Sequence, residues 1–154
     1  VFSLAKEYKK GVVIDPKVGH FKDYKGATIL TPNKNEAQVA AGGILTAKES
    51  IHSIGKRLLK GLNLEALLIT RGAEGMSLFQ KDEKVIDIPT VAQEVYDVTG
   101  AGDTVAAVLA LGLATGADFL SSARVANFAA GIVVREVGAA TVSKSELIKR
   151  IRGG

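Results

Sequence analysis

The residues of this chain best suited by type and spacing to chemistry are Asp97-Val98-Thr99-Gly100-Ala101-Gly102-Asp103-Thr104. They stand directly before an apolar stretch, Val105 to Ala114, of helical character. Gly100, Ala101 and Gly102 let the backbone turn tightly and aim N–H groups at one point, where a helix N-terminus adds positive partial charge. Such a place suits an anion, for example a developing phosphate. An aspartate in its midst is costly unless it has a task. The task that fits Asp103 is taking the proton from an alcohol that attacks phosphorus. Asp103 can equally be read as a helix cap, and these eight residues alone leave both readings open. Two other glycine-rich readings fail. A dinucleotide fingerprint needs Gly where Val105 stands. The only Gly-Lys pair, Gly55-Lys56, is followed by Arg57 and has Ser50 where a phosphate-binding loop needs Gly.

Two further clusters point the same way. Asn33-Lys34-Asn35-Glu36 follows a strand-like stretch and opens a helix. Three apart, Asn33 and Glu36 share one helix face and can together hold a hydrated Mg²⁺ beside phosphates. The same spacing also makes a capping box. Thr70-Arg71-Gly72-Ala73-Glu74-Gly75 follows an apolar strand, and in open α/β sheets ligands collect beyond the carboxyl ends of strands. As a plain turn it needs no ligand. Lys17, in a loop after another strand, either reaches a phosphate or is simply solvated.

These residues need a frame. Val1 to Lys10 reads as the end of a helix stopped by Gly11, and Val12 to Ile14 as a short buried strand broken by Asp15-Pro16-Lys17. Lys22 to Gly26 reads as a polar turn and Ala27 to Leu30 as a second strand, ended by Pro32 before Asn33 caps a helix. Thr46 is expected to start the next helix, which runs to Gly61. Ala66 to Thr70 is an apolar strand, Met76 to Phe79 a strand running back, and Val85 to Ile88 a half-exposed strand. Asp103 to Thr115 is so uniformly apolar that burial is expected. Helices over Ser121 to Val134 and Ser143 to Ile151 follow, the last opened by a Ser143–Glu146 capping box. Strands alternating with helices predict an α/β fold, a largely parallel sheet covered on both faces.

Composition narrows the class. With 154 residues, 47% of them apolar, the chain can bury the core of one domain and is no disordered segment. The longest apolar run, Val105 to Ala114, is about half of the roughly 20 residues a membrane helix requires. The lack of cysteine excludes disulfides, thiolate zinc and a cysteine nucleophile, and agrees with a reducing cytoplasm. The net charge of +4, from 20 basic and 16 acidic residues well mixed, favours small anions slightly but forms no nucleic-acid stripe. No basic region followed by an apolar one reads as a signal peptide. Val1 in place of Met leads to the expectation that the natural N-terminus lies upstream.

Taken in order, the three clusters resemble the ribokinase, or PfkB, family of carbohydrate kinases. The specific mark is Asp97-x-Thr99-Gly100-Ala101-Gly102-Asp103, which is similar to that family's C-terminal motif. The resemblance implies a ribokinase-like three-layer α/β/α fold with a mainly parallel sheet. Residues 1–154 would be its C-terminal, nucleotide-binding portion, without the upstream sugar-binding part and lid. It implies Asp103 as catalytic base and Gly100, Ala101 and Gly102 as the anion hole. Asn33 and Glu36 would organise Mg²⁺ and the phosphates of ATP, Thr70, Gly72 and Gly75 would touch the nucleotide, and Asn127 would lie near the adenine. Asp97, Thr99 and the loop near Gly138 would hold an activating K⁺.

Ile14-Asp15-Pro16-Lys17, Leu30-Thr31-Pro32-Asn33, Thr70-Arg71, Gly75-Met76-Ser77-Leu78 and Gln93-Glu94-Val95-Tyr96-Asp97-Val98-Thr99 are similar to the heptose 7-phosphate kinase branch of the family. That branch implies a cytoplasmic enzyme of lipopolysaccharide-core synthesis acting on a sugar phosphate. It implies neither nucleic-acid nor membrane partners, and it is compatible with a homodimer and with a fused or separate nucleotidyltransferase domain. A kinase for another sugar or nucleoside, and a non-catalytic nucleotide-binding module, remain as alternatives. The isolated 154-residue chain is expected to bind nucleotide weakly and not to turn over.

Overall fold

The computed structural model describes residues 1–42, 49–81, 83–92 and 94–153. Five short strands form one sheet in chain order: β1 (Val13–Ile14), β2 (Ile29–Leu30), β3 (Ala66–Thr70), β4 (Met76–Gln80) and β5 (Ile86–Ile88). The pairings β1–β2 and β2–β3 are parallel, and β3–β4 and β4–β5 are antiparallel. Only β4 therefore runs against the rest, so the sheet is mixed while four of its five strands share one direction. The three parallel strands present their carboxyl ends along one rim. The helices are α1 (Phe2–Glu7), α2 (Lys34–Ala40), α3 (Ile51–Gly61), α4 (Ala101–Ala114), α5 (Phe119–Val133) and α6 (Lys144–Arg152).

The period of two along a strand divides the core into two layers. Leu30, Leu67, Ile69 and Phe79 point to one face, where they pack with Ala37 of α2 and Ile54 and Leu58 of α3. Their neighbours Ile29, Ala66, Leu68 and Leu78 point to the other, against Val105 and Leu109 of α4 and Ala123 and Ala126 of α5. Each fully buried leucine or isoleucine contributes about 1.5–3 kcal/mol relative to exposure. A strand buried on both faces must be apolar at every position, which is why Ala66-Leu67-Leu68-Ile69 shows no alternation. The fold is the expected three-layer α/β/α arrangement.

Several local expectations are refined. The polar turn at Lys22 to Gly26 is preceded by, and partly is, a 3₁₀ turn over Phe21–Tyr24, with Phe21 driven into the core. The helix anticipated from Thr46 has its predicted start outside the described residues; α3 begins at Ile51, with the Ser50 hydroxyl accepting from the Ser53 N–H. The expectation of a buried α4 is corrected. Only Val105 and Leu109 are buried, and Leu111 remains 68% exposed. An apolar helix lying on one sheet can bury only the stripe that faces it, whatever its remaining positions carry. No described helix is long and apolar enough to cross a membrane.

Candidate active site

The rim formed by the strand ends and the start of α4 enclose one cleft of about 160 Å³. Its walls are Asp15, Thr31, Asn33, Glu36, Thr70, Gly100, Gly102 and Asp103. Backbone pairing that runs past the strands brings the first five together. The Thr31 N–H and hydroxyl both donate to the Ile14 carbonyl, at 3.0 and 3.3 Å, so the end of β2 is tied beside Asp15. The Thr70 N–H donates to the Pro32 carbonyl at 3.0 Å, and Asn33 and Thr70 form a parallel bridge. Residues 37 apart in the chain thus share one edge.

Asn33 and Glu36 form a complete capping box on α2. Asn33 Oδ1 accepts from the Glu36 N–H at 2.9 Å, and Glu36 Oε2 accepts from the Asn33 N–H at 2.8 Å. The two readings of this pair are therefore not rivals. The cap holds both residues at the cleft wall.

The opposite wall is the start of α4. Gly100 caps it with φ 76°, ψ −2°, a left-handed conformation favoured by glycine. The Thr104 N–H and hydroxyl donate back to the Gly100 carbonyl, each at 2.9 Å, which holds the turn closed. No side chain caps α4, unlike α2, α3, α5 and α6. The cap reading of Asp103 accordingly finds no hydrogen bond to support it, and its exposed carboxylate stands on the cleft wall. Such an N-terminus offers N–H donors and dipole to an anion.

The other expected residues are not among those lining the cleft. Asp97 Oδ1 accepts from the Thr99 N–H and hydroxyl, at 2.9 and 2.7 Å, and Oδ2 accepts from the Gly138 N–H at 2.9 Å. The Thr99 hydrogen bonds, followed by that from Gly138, hold the Asp97 carboxyl below its ordinary range. Asp97, Thr99 and the Gly138 loop are therefore one cluster just before the α4 turn. Ala101 belongs to the turn but not to the cleft wall; its N–H donates to the Val98 carbonyl at 3.2 Å. Gly72 starts a 3₁₀ turn after β3. Gly75 ends that turn and lies under the backbone of Ile88 to Thr90. Asn127 is buried, and its amide donates to the Pro89 carbonyl at 2.8 Å, tying α5 to the segment after β5.

Asp15 and Thr31 are cleft residues that the chemical search of the sequence passed over. The available signal was their place at the ends of β1 and β2. A larger hollow, about 580 Å³, opens between α5, α6 and residues 94–96. Much of its charge is engaged locally: Arg135 with Glu94, Arg150 with the Val91 carbonyl, and Glu146 with the start of α6. The smaller cleft is the one lined by Asn33, Glu36, Thr70, Gly100, Gly102 and Asp103.

A three-layer α/β fold with an uncapped helix N-terminus facing the strand ends is an arrangement suited to binding anions such as phosphate. Residues 1–146 match the model of the pfkB family of carbohydrate kinases, and the chain belongs to that family. It is 55% identical over 140 residues to the bifunctional protein HldE of Geotalea uraniireducens, covering 91% of this chain and 29% of that protein. To the bifunctional protein HldE of Proteus mirabilis it is 50% identical over 153 residues, covering 99% of this chain and 32% of the relative. The chain thus spans about a third or less of these relatives' length. Among solved structures it is similar to Arabidopsis thaliana ribokinase complexed with ribose and ATP, with TM-score 0.84 and 26% identity over 99% of this chain and 51% of that one. Escherichia coli phosphofructokinase-2 in complex with potassium shares the fold, with TM-score 0.85 at 16% identity over 99% of this chain and 50% of the other.

Proposed function

We propose that this chain is the nucleotide-side portion of an ATP-dependent kinase acting on D-glycero-D-manno-heptose 7-phosphate. The anomeric hydroxyl is the acceptor and the 1,7-bisphosphate the product, in cytoplasmic ADP-heptose synthesis for the lipopolysaccharide core. The observation that carries the kinase reading is the convergence of Asp103, Gly100 and Gly102 with Asn33, Glu36 and Thr70 on one cleft. The choice of heptose rests on the strings that resemble that branch and on 50–55% identity to the HldE proteins. Their designation as bifunctional supports a second, nucleotidyltransferase activity elsewhere in the natural-length protein.

In this reading Asp103 accepts the proton of the acceptor hydroxyl as its oxygen bonds to the γ-phosphorus. The bond from that phosphorus to the bridging oxygen breaks, and ADP leaves. The N-terminal backbone of α4 stabilises charge on the transferring group. Asn33 and Glu36 fit a hydrated Mg²⁺. Among the described residues no cluster of three or more metal-binding side chains forms a closed cage, and Mg²⁺ usually keeps waters and takes one or two carboxylates plus phosphate oxygens. When bound, that ion neutralises phosphate charge. Gly72, Gly75 and Asn127 are assigned to the nucleotide side on family resemblance.

The test is a panel of acceptors given to the natural-length protein with ATP and Mg²⁺: heptose 7-phosphate, unphosphorylated heptose, ribose and fructose 6-phosphate. Heptose 7-phosphate is expected to show the highest kcat/KM, with bisphosphate seen by mass. Preference for another sugar overturns the heptose assignment, and no transfer to any sugar overturns the kinase reading.

The Asp97 cluster supplies oxygen donors suited to K⁺, which would act through the intervening backbone on the α4 turn. Potassium is expected to raise activity above the level in sodium at matched ionic strength, and Asp97→Ala to abolish the difference. Equal wild-type rates in both salts overturn the assignment. Because Asp97 is held below its unfolded value, its anchoring of the Gly138 loop is present above about pH 4 and is lost as pH falls further, through the folded value.

A further inference from the structure

The cleft walls carry the carboxylates of Asp15, Glu36 and Asp103 but no lysine or arginine. A bound triphosphate would face them all. Lys34, in the first turn of α2, is engaged with Glu74 at 3.0 Å. Lys17 stands closer to the problem. Its backbone is fixed: Pro16 before it is fully buried, its N–H donates to the Tyr24 hydroxyl at 3.4 Å, and its carbonyl accepts from the His20 N–H at 3.2 Å. Its Nζ lies 3.1 Å from Asp15 Oδ2, on the cleft wall. The side chain is otherwise exposed, so the ammonium keeps donors to spare. The hydrogen bond and charge of Asp15 raise the Lys17 pKa, and the charges of Glu36 and Asp103 add to this. All three cleft carboxylates therefore act on one cation.

We propose that Lys17 is a phosphate-contacting residue, its ammonium held over the cleft by Asp15 so that it meets the oxygens of the phosphate being transferred. This rests on the kinase reading above. A flexible lysine acts as a point charge, and in phosphoryl transfer charge spreads over the equatorial oxygens, where a nearby cation assists. The transferring phosphate is favoured over a phosphate carried by the acceptor because Asp15, which holds Lys17, lines the same cleft as Asp103, the residue at the reacting end.

The experiment compares wild type, Lys17→Met, Lys17→Arg and, as a charge control, Lys81→Gln in the natural-length protein. Lys81 follows β4 at the opposite end of the sheet. Transfer is measured to the best acceptor and to its analogue lacking the phosphate, with thermal melting alongside. Lys17→Met is expected to lower kcat at least tenfold on both acceptors at an unchanged melting temperature. Lys17→Arg should recover part of the loss, and Lys81→Gln should match wild type. A loss confined to the phosphorylated acceptor assigns Lys17 to the acceptor's own phosphate and overturns the proposal. So does undiminished transfer in Lys17→Met, or a loss that follows the melting temperature in both Lys17 variants. If wild type itself transfers nothing, the kinase reading falls and this proposal with it.

Discussion

Asp103→Asn in the natural-length protein is expected to reduce kcat by roughly 10²–10⁴-fold while leaving nucleotide affinity nearly intact. The substitution keeps size and polarity but removes the carboxylate that would accept the acceptor's proton. It leaves the α4 turn alone, because that turn is held by Gly100 and Thr104 rather than by the Asp103 side chain. Single-turnover phosphate transfer and nucleotide titration, made on the same preparation, separate the two effects. A kcat within a few-fold of wild type would reduce Asp103 to a favourable charge in the first turn of a helix. A parallel loss of nucleotide affinity would make it a binding residue instead.

Gly75→Ala is expected to destabilise the protein by about 2–5 kcal/mol, from backbone strain and overpacking together. Gly75 has φ 83° and ψ −129°, outside the left-handed helical well that other residues occasionally visit. A Cβ there would also stand 2.1 Å from the Ile88 carbonyl oxygen and 2.6 Å from the Thr90 nitrogen. These are backbone atoms held in place by the β4–β5 pairing, so they cannot simply swing away. Gly72→Ala is the internal comparison. It too has positive φ, at 59°, but a Cβ there meets open space. Thermal melting should place Gly75→Ala several degrees below Gly72→Ala. Coincident melting curves would show that crowding against Ile88 and Thr90 adds nothing.

The candidate site was legible in the sequence because it depends on residue types at short spacing. Two glycines and an aspartate before a helix, and an Asn-x-x-Glu after a strand, are local patterns, and each marks a local conformation. Gly100 takes the left-handed turn and Asn33 with Glu36 makes the capping box within a few residues of chain. The caps at Asn33 and Ser143, the apolar strand at Ala66 and the returning strand at Met76 follow from the same short-range physics. Tertiary structure decided what shares a cleft. Asp15, Thr31 and Thr70 became neighbours of Asp103 only through the parallel pairing of β1, β2 and β3 and the packing of α4 beside their ends. Long-range pairing also set how far α4 is covered, since its composition is largely apolar while only Val105 and Leu109 are buried. Composition along a chain prescribes which surfaces can be buried; the layer that reaches them determines which are.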